Sequence, residues 1–407
     1  MKFLLTTISI LIFCNLSAQT SEEDKLKVYI DCGWCDMTFI KQEMEYVSYV
    51  RDRLLSDVHV MVLSQNTGSG GDEYTFMFYG QAEMAGYNDT ITMTTDVNNT
   101  SDEIRRKQLK AIQLGLTSYM VKKGFFDDME VSFTGKSETV IEEDPWNKWV
   151  FNISASGWFN GEEQYSNLST NARIDIDKVT EEWKIQSGVG YHRNQSKFLV
   201  DDEWVYSETM NQWADIDVVK SLGNHWSAGL YTGAWSSLYD NYKLQLNMKP
   251  GIEYNLFPYE ESTKRQLRFV YKVGPRYNMY NDSTIYLKDE ELLGHQSLGI
   301  AFRMNQKWGS VSTSITGSHY FHNIELNNLN VWSSIRLRLI KGLSLRLSGS
   351  FTIIHDQLNL PLGDYSDEDI LLRQRQLQTG FRYWGNVGIT YTFGSIYNSV
   401  VNPRFGN

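Results

Sequence analysis

The chain has 407 residues, 14% of them aromatic, with a formal net charge of -11 and a mean hydropathy of -0.40. That acidity argues against a nucleic-acid partner, which needs a basic face. Beyond the first twenty residues no apolar run approaches the roughly 18 to 20 residues of a spanning helix, but a β-barrel, which hides its apolar face in every second residue, stays open.

The opening segment "MKFLLTTISILIFCNLSAQT" joins Lys2 to an apolar run from Phe3 to Phe13 and then to small and polar residues. This is the three-part pattern of a secretory signal peptide, expected over residues 1–19. Cys14 is a poor lipidation site, because bulky Phe13 stands where a small residue should precede it. Export leaves Cys32 and Cys35 as the cysteines of the mature chain.

Residues 25–137 mix strand and helix periods and predict a small α/β domain. "KVYIDC" and "DVHVMVL" read as buried strands on either side of a helix in "MTFIKQEMEYVSYVRDRL", where Phe39, Met44, Val47 and Val50 recur at helical spacing. "EYTFMFYG" and "DTITMTTD" continue as strands after the turn-rich "SQNTGSGGDE". A long helix follows in "TSDEIRRKQLKAIQLGLTSYMVKKG", with Ser101 as its candidate cap and Gly124 just past its basic end. "DMEVSFTG" is the expected last strand, and the polar residues 138–147, with the chain's first proline at Pro145, are the expected linker.

From residue 148 to 395 the period is two. Trp149, Phe151, Ile153, Ala155 and Phe159 share one strand face while Asn152, Ser154 and Ser156 share the other. The same alternation sets Leu267, Phe269, Tyr271 and Val273 against Arg268 and Lys272, and Leu343, Leu345 and Leu347 against Ser344, Arg346 and Ser348. About twelve such strands, with short connections such as "KVTEEW", "QKWGS" and "IKGLS" alternating with long ones such as "RNQSKFLVDDEWVYSE", "YNDSTIYLKDEELLG" and "HDQLNLPLGDYSDEDILLRQ", predict an all-β transmembrane barrel. A soluble β-sandwich also alternates, but it would show compact turns at both ends, whereas here aromatics such as Trp149, Trp183, Trp226, Tyr391 and Phe393 gather toward strand ends, and the polar face mixes charges with many Ser and Gly. An even strand count puts both barrel ends in the periplasm, together with the α/β domain and a C-terminal tail over 396–407.

The pieces "VYIDCGWCD", "DVHVMVLSQNTGSGGDEYTFMFYG", "RRKQLKAIQLGL", "LQLNMKPGIEYNLFPYEESTKRQLRFVY", "GSHYFHN" and "YTFGSIYNSVVNPRFG" carry a resemblance over nearly the whole mature chain. The chain resembles a family of outer-membrane β-barrel proteins from Bacteroidota with an N-terminal periplasmic α/β domain. The resemblance implies architecture and an outer-membrane location, and brings neither an activity nor functional residues with it.

Three constellations invite chemical readings. Cys32 and Cys35 sit at a strand-to-helix junction, where a helix N-terminus lowers a thiol pKa and thioredoxin-like motifs work. The proline loop of that fold has no counterpart, since no proline occurs before Pro145, and a zinc site would need two further ligands. A structural disulfide formed in the periplasm is the expected reading. "QNTGSGGDE" lacks the ending of a phosphate-binding loop and lies between strands, so a hairpin loop is expected. His295 and Ser297 in "GHQSLG" resemble the His-x-Ser of outer-membrane phospholipase only in that spacing. The Asn-Gly that should follow is missing, and the pair shares the inward face, where lipid would not reach.

The inward charges are segregated. Asp175, Asp177, Asp215 and Asp217 form an acidic wall, and Lys243, Lys249, Arg268, Lys272, Arg276, Arg303, Arg336, Arg338 and Arg346 a basic one. Charged channels use such segregation, yet about twelve strands leave a slim interior that paired charges can fill. Two functions stay open: a small channel or transport component favouring anionic solutes, and a non-conducting structural or assembly protein whose α/β domain binds a periplasmic partner. A membrane hydrolase through Ser297 is the weakest, so no enzyme, cofactor or metal is expected. The expected surroundings are outer-membrane lipid.

Overall fold

The change of period near residue 148 divides the molecule into two sheets. The computed structural model describes residues 25–68, 70–130, 132, 144–200, 202–363, 376–394 and 404. The expected signal peptide, most of the linker and nearly all of the C-terminal tail lie outside these residues, as does most of the strand expected in "DMEVSFTG".

The first sheet joins β1 (Leu26–Asp31), β2 (Val47–Tyr49), β3 (Val58–Asn66), β4 (Asp72–Gly80) and β5 (Asn88–Thr94) in the order β2-β1-β3-β4-β5. β1 runs parallel to β2 and β3, and the remaining pairs are antiparallel. α1 (Met37–Glu43) starts where the Asp36 carboxylate accepts from the Phe39 amide at 3.0 Å. The helix expected to run on to Leu54 stops at Glu43, and Val47–Tyr49 pairs with Leu26–Val28 instead. In "YVSYV" the β-branched and aromatic residues favour a strand once an edge is offered, which helical spacing alone does not reveal. α2 (Ser101–Lys123) packs Leu109, Ile112, Leu116 and Tyr119 against Val60, Phe76 and Phe78. Its cap is Thr100, not Ser101: Thr100 and Glu103 form a reciprocal capping box, and Gly124 ends the helix in the left-handed region at φ 103°. A Cβ at Gly115 would enter the Phe78 ring, so a glycine is required where helix and sheet approach most closely.

The second sheet has twelve antiparallel strands, each paired with its neighbours in sequence. They are β6 (Trp149–Glu162), β7 (Tyr165–Val179), β8 (Trp183–Val200), β9 (Glu203–Ser221), β10 (Trp226–Ser237), β11 (Tyr242–Asn255), β12 (Arg265–Tyr280), β13 (Glu290–Gln306), β14 (Gly309–Tyr320), β15 (Asn323–Ile340), β16 (Leu343–Ile354) and β17 (Phe381–Tyr391). Among the described residues β6 and β17 each carry a ladder on one edge only.

The expected alternation of short and long connections holds only in part. "RNQSKFLVDDEWVYSE" is not a long loop: β8 and β9 run through it as paired strands to Val200 and Glu203. Phe198, Val205 and Tyr206 suit a strand, and Asp202 at φ 64° makes the turn. Two connections at that end are long, 281–289 and 355–380. We call it the loop end and the opposite one the domain end.

The sheet curls. Eleven gaps of about 4.8 Å would spread a flat version over roughly 50 Å, while a domain of about 100 residues is only some 35 Å across. Yet the small domain touches both sides of it: Arg51 donates to the Phe393 carbonyl just beyond β17, and Gly68 lies so close to Val179 at the end of β7 that a Cβ there would collide.

Candidate functional site

The polar face of the twelve-stranded sheet lines the inside of the curl, and its two halves differ. Toward the loop end it is filled. Arg276 on β12 donates to the Tyr320 hydroxyl at 2.7 Å and to Gln245 at 2.9 Å. Tyr320, Tyr280, Tyr242, Asn278 and His295 around it are each less than a tenth exposed. Above them three connections knit into a cover. Asn241 donates to the carbonyls of Asp282 and Asn359, both at 2.9 Å, Asn359 donates to the Asp240 carbonyl at 2.8 Å, and Ile285 donates to the Leu360 carbonyl at 2.9 Å. Leu358 and Leu360 of the third connection are themselves buried.

Toward the domain end the interior is hollow. One cavity of about 610 Å³ is lined by Asn152, Asp175, Asp177, Asp215 and Asp217, with Val97 and Asn98 of the small domain at its edge. A second, of about 860 Å³, is lined by Glu182, Lys184, Asp217, Glu253, Arg268 and Lys272. The acidic wall is therefore a real cluster, and the register explains it: Asp175 and Asp215 both pair with Gly188, and Asp177 and Asp217 both pair with Gln186.

The basic residues do not form one wall. Arg276 is committed to the filled half, Lys249 is half-buried, and Lys272 lies 3.2 Å from the centre of the Tyr231 ring. Arg268 faces Glu253 at 3.7 Å. Lys243 is exposed, because the pairing shifts between Tyr242 and Leu244 and Tyr242 is buried in its stead. Arg303, Arg336 and Arg346 are exposed on the polar face, with no carboxylate within 4.0 Å among the described residues, and Arg336 pairs directly with Arg346 across β15 and β16. Arg173, which binds Asp175 at 2.7 Å, is absent from the walls expected from sequence although its parity matches that of Asp175.

Arg338 is not an interior charge at all. It forms an ion pair with Asp31 at the end of β1, so it clasps the two sheets together. The clasp extends to the Gly342 amide, which donates to Asp52 at 2.9 Å, and to Lys307, 3.8 Å from the centre of the Tyr79 ring. Asp31 also approaches buried His59 at 3.6 Å. Burial alone would raise the Asp31 pKa, but the neighbouring His59 and the hydrogen-bonded Arg338 guanidinium outweigh it and hold the carboxyl at about 2. Burial pushes His59 below its ordinary value. These partners could not be found from sequence, because Asp31 and Arg338 are 307 positions apart.

Cys32 and Cys35 form a disulfide with Cα atoms 5.5 Å apart, just before α1. No described hydrogen bond joins His295 to Ser297; His295 packs edge-on against Tyr320 instead. No group of three or more His, Cys, Asp and Glu suited to a metal occurs among the described residues. No protein-family model and no curated protein matches the chain.

Proposed function

We propose that this protein is an outer-membrane β-barrel that holds its α/β domain at the periplasmic mouth, and that it acts as a non-conducting structural or assembly protein. The membrane reading is supported by the outer face of the curl. Phe159 is 81% exposed, and Val387 and Ile389 are 71% exposed, as befits side chains that meet lipid instead of water. The observation that carries the non-conducting reading is the filled half: a buried Arg276–Tyr320–Gln245 cluster, roofed by three interlocked connections, occupies the loop-end interior among the described residues. The α/β domain, clasped at the other mouth by Asp31 and Asp52, is then the part presented to a periplasmic partner.

A second reading, a transport component for small anionic solutes, draws on the hollow domain-end interior and on Arg303, Arg336 and Arg346, which meet no carboxylate among the described residues. Planar bilayers separate the two. The purified full chain is expected to be silent, and deletion of residues 356–362 to give conductance. Steady conductance of the unmodified chain, with an anion preference reversed by Arg268→Glu and Arg336→Glu, would establish the transport reading instead.

A further inference from the structure

A cleft of about 500 Å³ opens where the small domain meets the turn between β15 and β16. Five cationic side chains line it, Lys41, Arg51, Arg53, Arg338 and Lys341, against a single carboxylate, Asp52. Two of the five are already engaged, Arg338 by Asp31 and Arg51 by the Phe393 carbonyl. Asp52 is spent on the amides of Leu54 and Gly342, both at 2.9 Å. Lys41, Arg53 and Lys341 have no carboxylate within 4.0 Å among the described residues, so the cleft carries a surplus of positive charge. The Nε of Arg51 is buried there without a hydrogen-bond partner among the described residues.

The other wall is apolar and continues onto the outer face of the large sheet. Ile340 and Leu343 line the cleft and pair with each other, and Leu343 pairs with Tyr391. From there Leu345 and Leu347 on β16, beside Ile389 and Val387 on β17, extend the same apolar face along the strands. Ile340 is 67% exposed. A cationic pocket at the foot of an exposed hydrocarbon-compatible column matches an amphiphile with an anionic head. Free phosphate would gain nothing from the column.

We infer that this cleft binds the headgroup of an anionic glycerophospholipid from the periplasmic leaflet, its phosphate between Lys41, Arg53 and Lys341 and its acyl chains along Leu343, Leu345 and Leu347. The inference rests on the membrane reading above. Bound there, the lipid touches both sheets at once and strengthens the docking of the small domain.

The test uses the full chain in mild detergent and measures retention of phosphatidylglycerol against phosphatidylcholine. Each basic group at a lipid surface contributes on the order of 1 kcal/mol, a factor of about five. Replacing Lys41, Arg53 and Lys341 by Gln is therefore expected to weaken phosphatidylglycerol binding about tenfold or more, with phosphatidylcholine unaffected. Arg303→Gln with Arg336→Gln, which removes charge from the interior instead, is expected to change neither. Unaltered phosphatidylglycerol binding by the triple variant would overturn the inference, and so would displacement of the lipid by millimolar inorganic phosphate, which would mark a free-phosphate site. Flotation with phosphatidylcholine vesicles keeps the premise separate. A chain that floats but shows no lipid preference sinks only the headgroup site, while one that does not float removes the membrane reading and the site together. Equal heat-modifiable gel mobility of variant and parent shows that the triple variant still folds.

Discussion

The two sheets of this protein treat apolar side chains in opposite ways. In the α/β domain Phe76, Phe78, Val58 and Val60 are fully buried, and the polar residues of β5 and α2 face outward. In the twelve-stranded sheet Phe159, Val387 and Ile389 face outward, while Arg276, Asn278 and His295 are inside. Side chains of one chemistry thus lie inside in one sheet and outside in the other. Water expels hydrocarbon from the first sheet's surface. The second sheet keeps hydrocarbon on its surface, which the membrane reading proposed above accounts for by surroundings that are hydrocarbon too.

The largest expected effect sharpens that contrast with one truncation and one insertion of charge. Phe78→Ala removes a fully buried ring from between β4 and Gly115, and is expected to destabilise the small domain by about 3–5 kcal/mol. Leu298→Arg, in the middle of β13 on the outer face, is expected to cost about 2–4 kcal/mol when the chain is folded into lipid vesicles. Guanidinium titration followed by tryptophan fluorescence measures both. In water an arginine at a position already 47% exposed would cost almost nothing, so a neutral Leu298→Arg in vesicles would break the comparison.

The next effect concerns the clasp between the sheets and is read through pH. The Asp31 pKa is depressed to about 2 from an ordinary 3.8, so its stabilisation is fully present above about pH 4 and is lost as pH falls through 2. His59 is also depressed, from an ordinary 6.5, so the unfolded chain takes up its proton first and stability declines as pH drops below that value. Acidification should therefore loosen the small domain in two stages, the first from His59 and the second from Asp31. Asp31→Asn is expected to abolish the second stage and to weaken the clasp by about 1.5–3 kcal/mol, the range for a hydrogen bond to a charged group. Limited proteolysis between the sheets, with an acid-active protease at the low end and followed from pH 7 to below pH 2, would register both. An unchanged profile in Asp31→Asn would show that the ion pair with Arg338 contributes nothing to docking.

What the sequence made legible follows from the range of each interaction. The period-two alternation from Trp149 to Tyr391 is local, and it carries most of the strands and the shared face of Asp175, Asp177, Asp215 and Asp217. Lys243 escaped because one irregular pair near Tyr242 reverses the parity, and no composition signal marks that irregularity. Arg338 escaped for a different reason. It has the parity of the polar face, but its partner Asp31 lies in the other sheet, 307 positions away, and only the docking of the two sheets brings the pair together. Val47 and Tyr49 show a third kind of failure, in which helical spacing was present but the open edge of β1 decided the outcome. The filling of the loop end was out of reach as well, since it depends on where connection 355–363 comes to rest.

The smallest effect tests the one local misreading that a single residue can correct. Both Thr100 and Ser101 could cap α2, and chemistry alone does not choose between them. In the structure the Thr100 hydroxyl accepts from the Glu103 amide at 3.3 Å, and the Glu103 carboxylate accepts from the Thr100 amide at 2.8 Å. Ser101 already lies inside the helix, where its hydroxyl has no orphan amide to satisfy. Thr100→Ala is therefore expected to cost about 1 kcal/mol, and Ser101→Ala to stay within about 0.5 kcal/mol of neutral. Urea unfolding followed by circular dichroism at the helix band reads this domain preferentially, because α2 is the long helix among the described residues and per residue a sheet contributes far less at that wavelength. A larger loss from Ser101→Ala than from Thr100→Ala would shift the start of α2 by one residue. Leu109, Ile112 and Leu116 would keep the face that packs on Phe76 and Phe78, because a one-residue change at the cap leaves the register beyond it unaltered, so the pair of variants isolates the cap from the core.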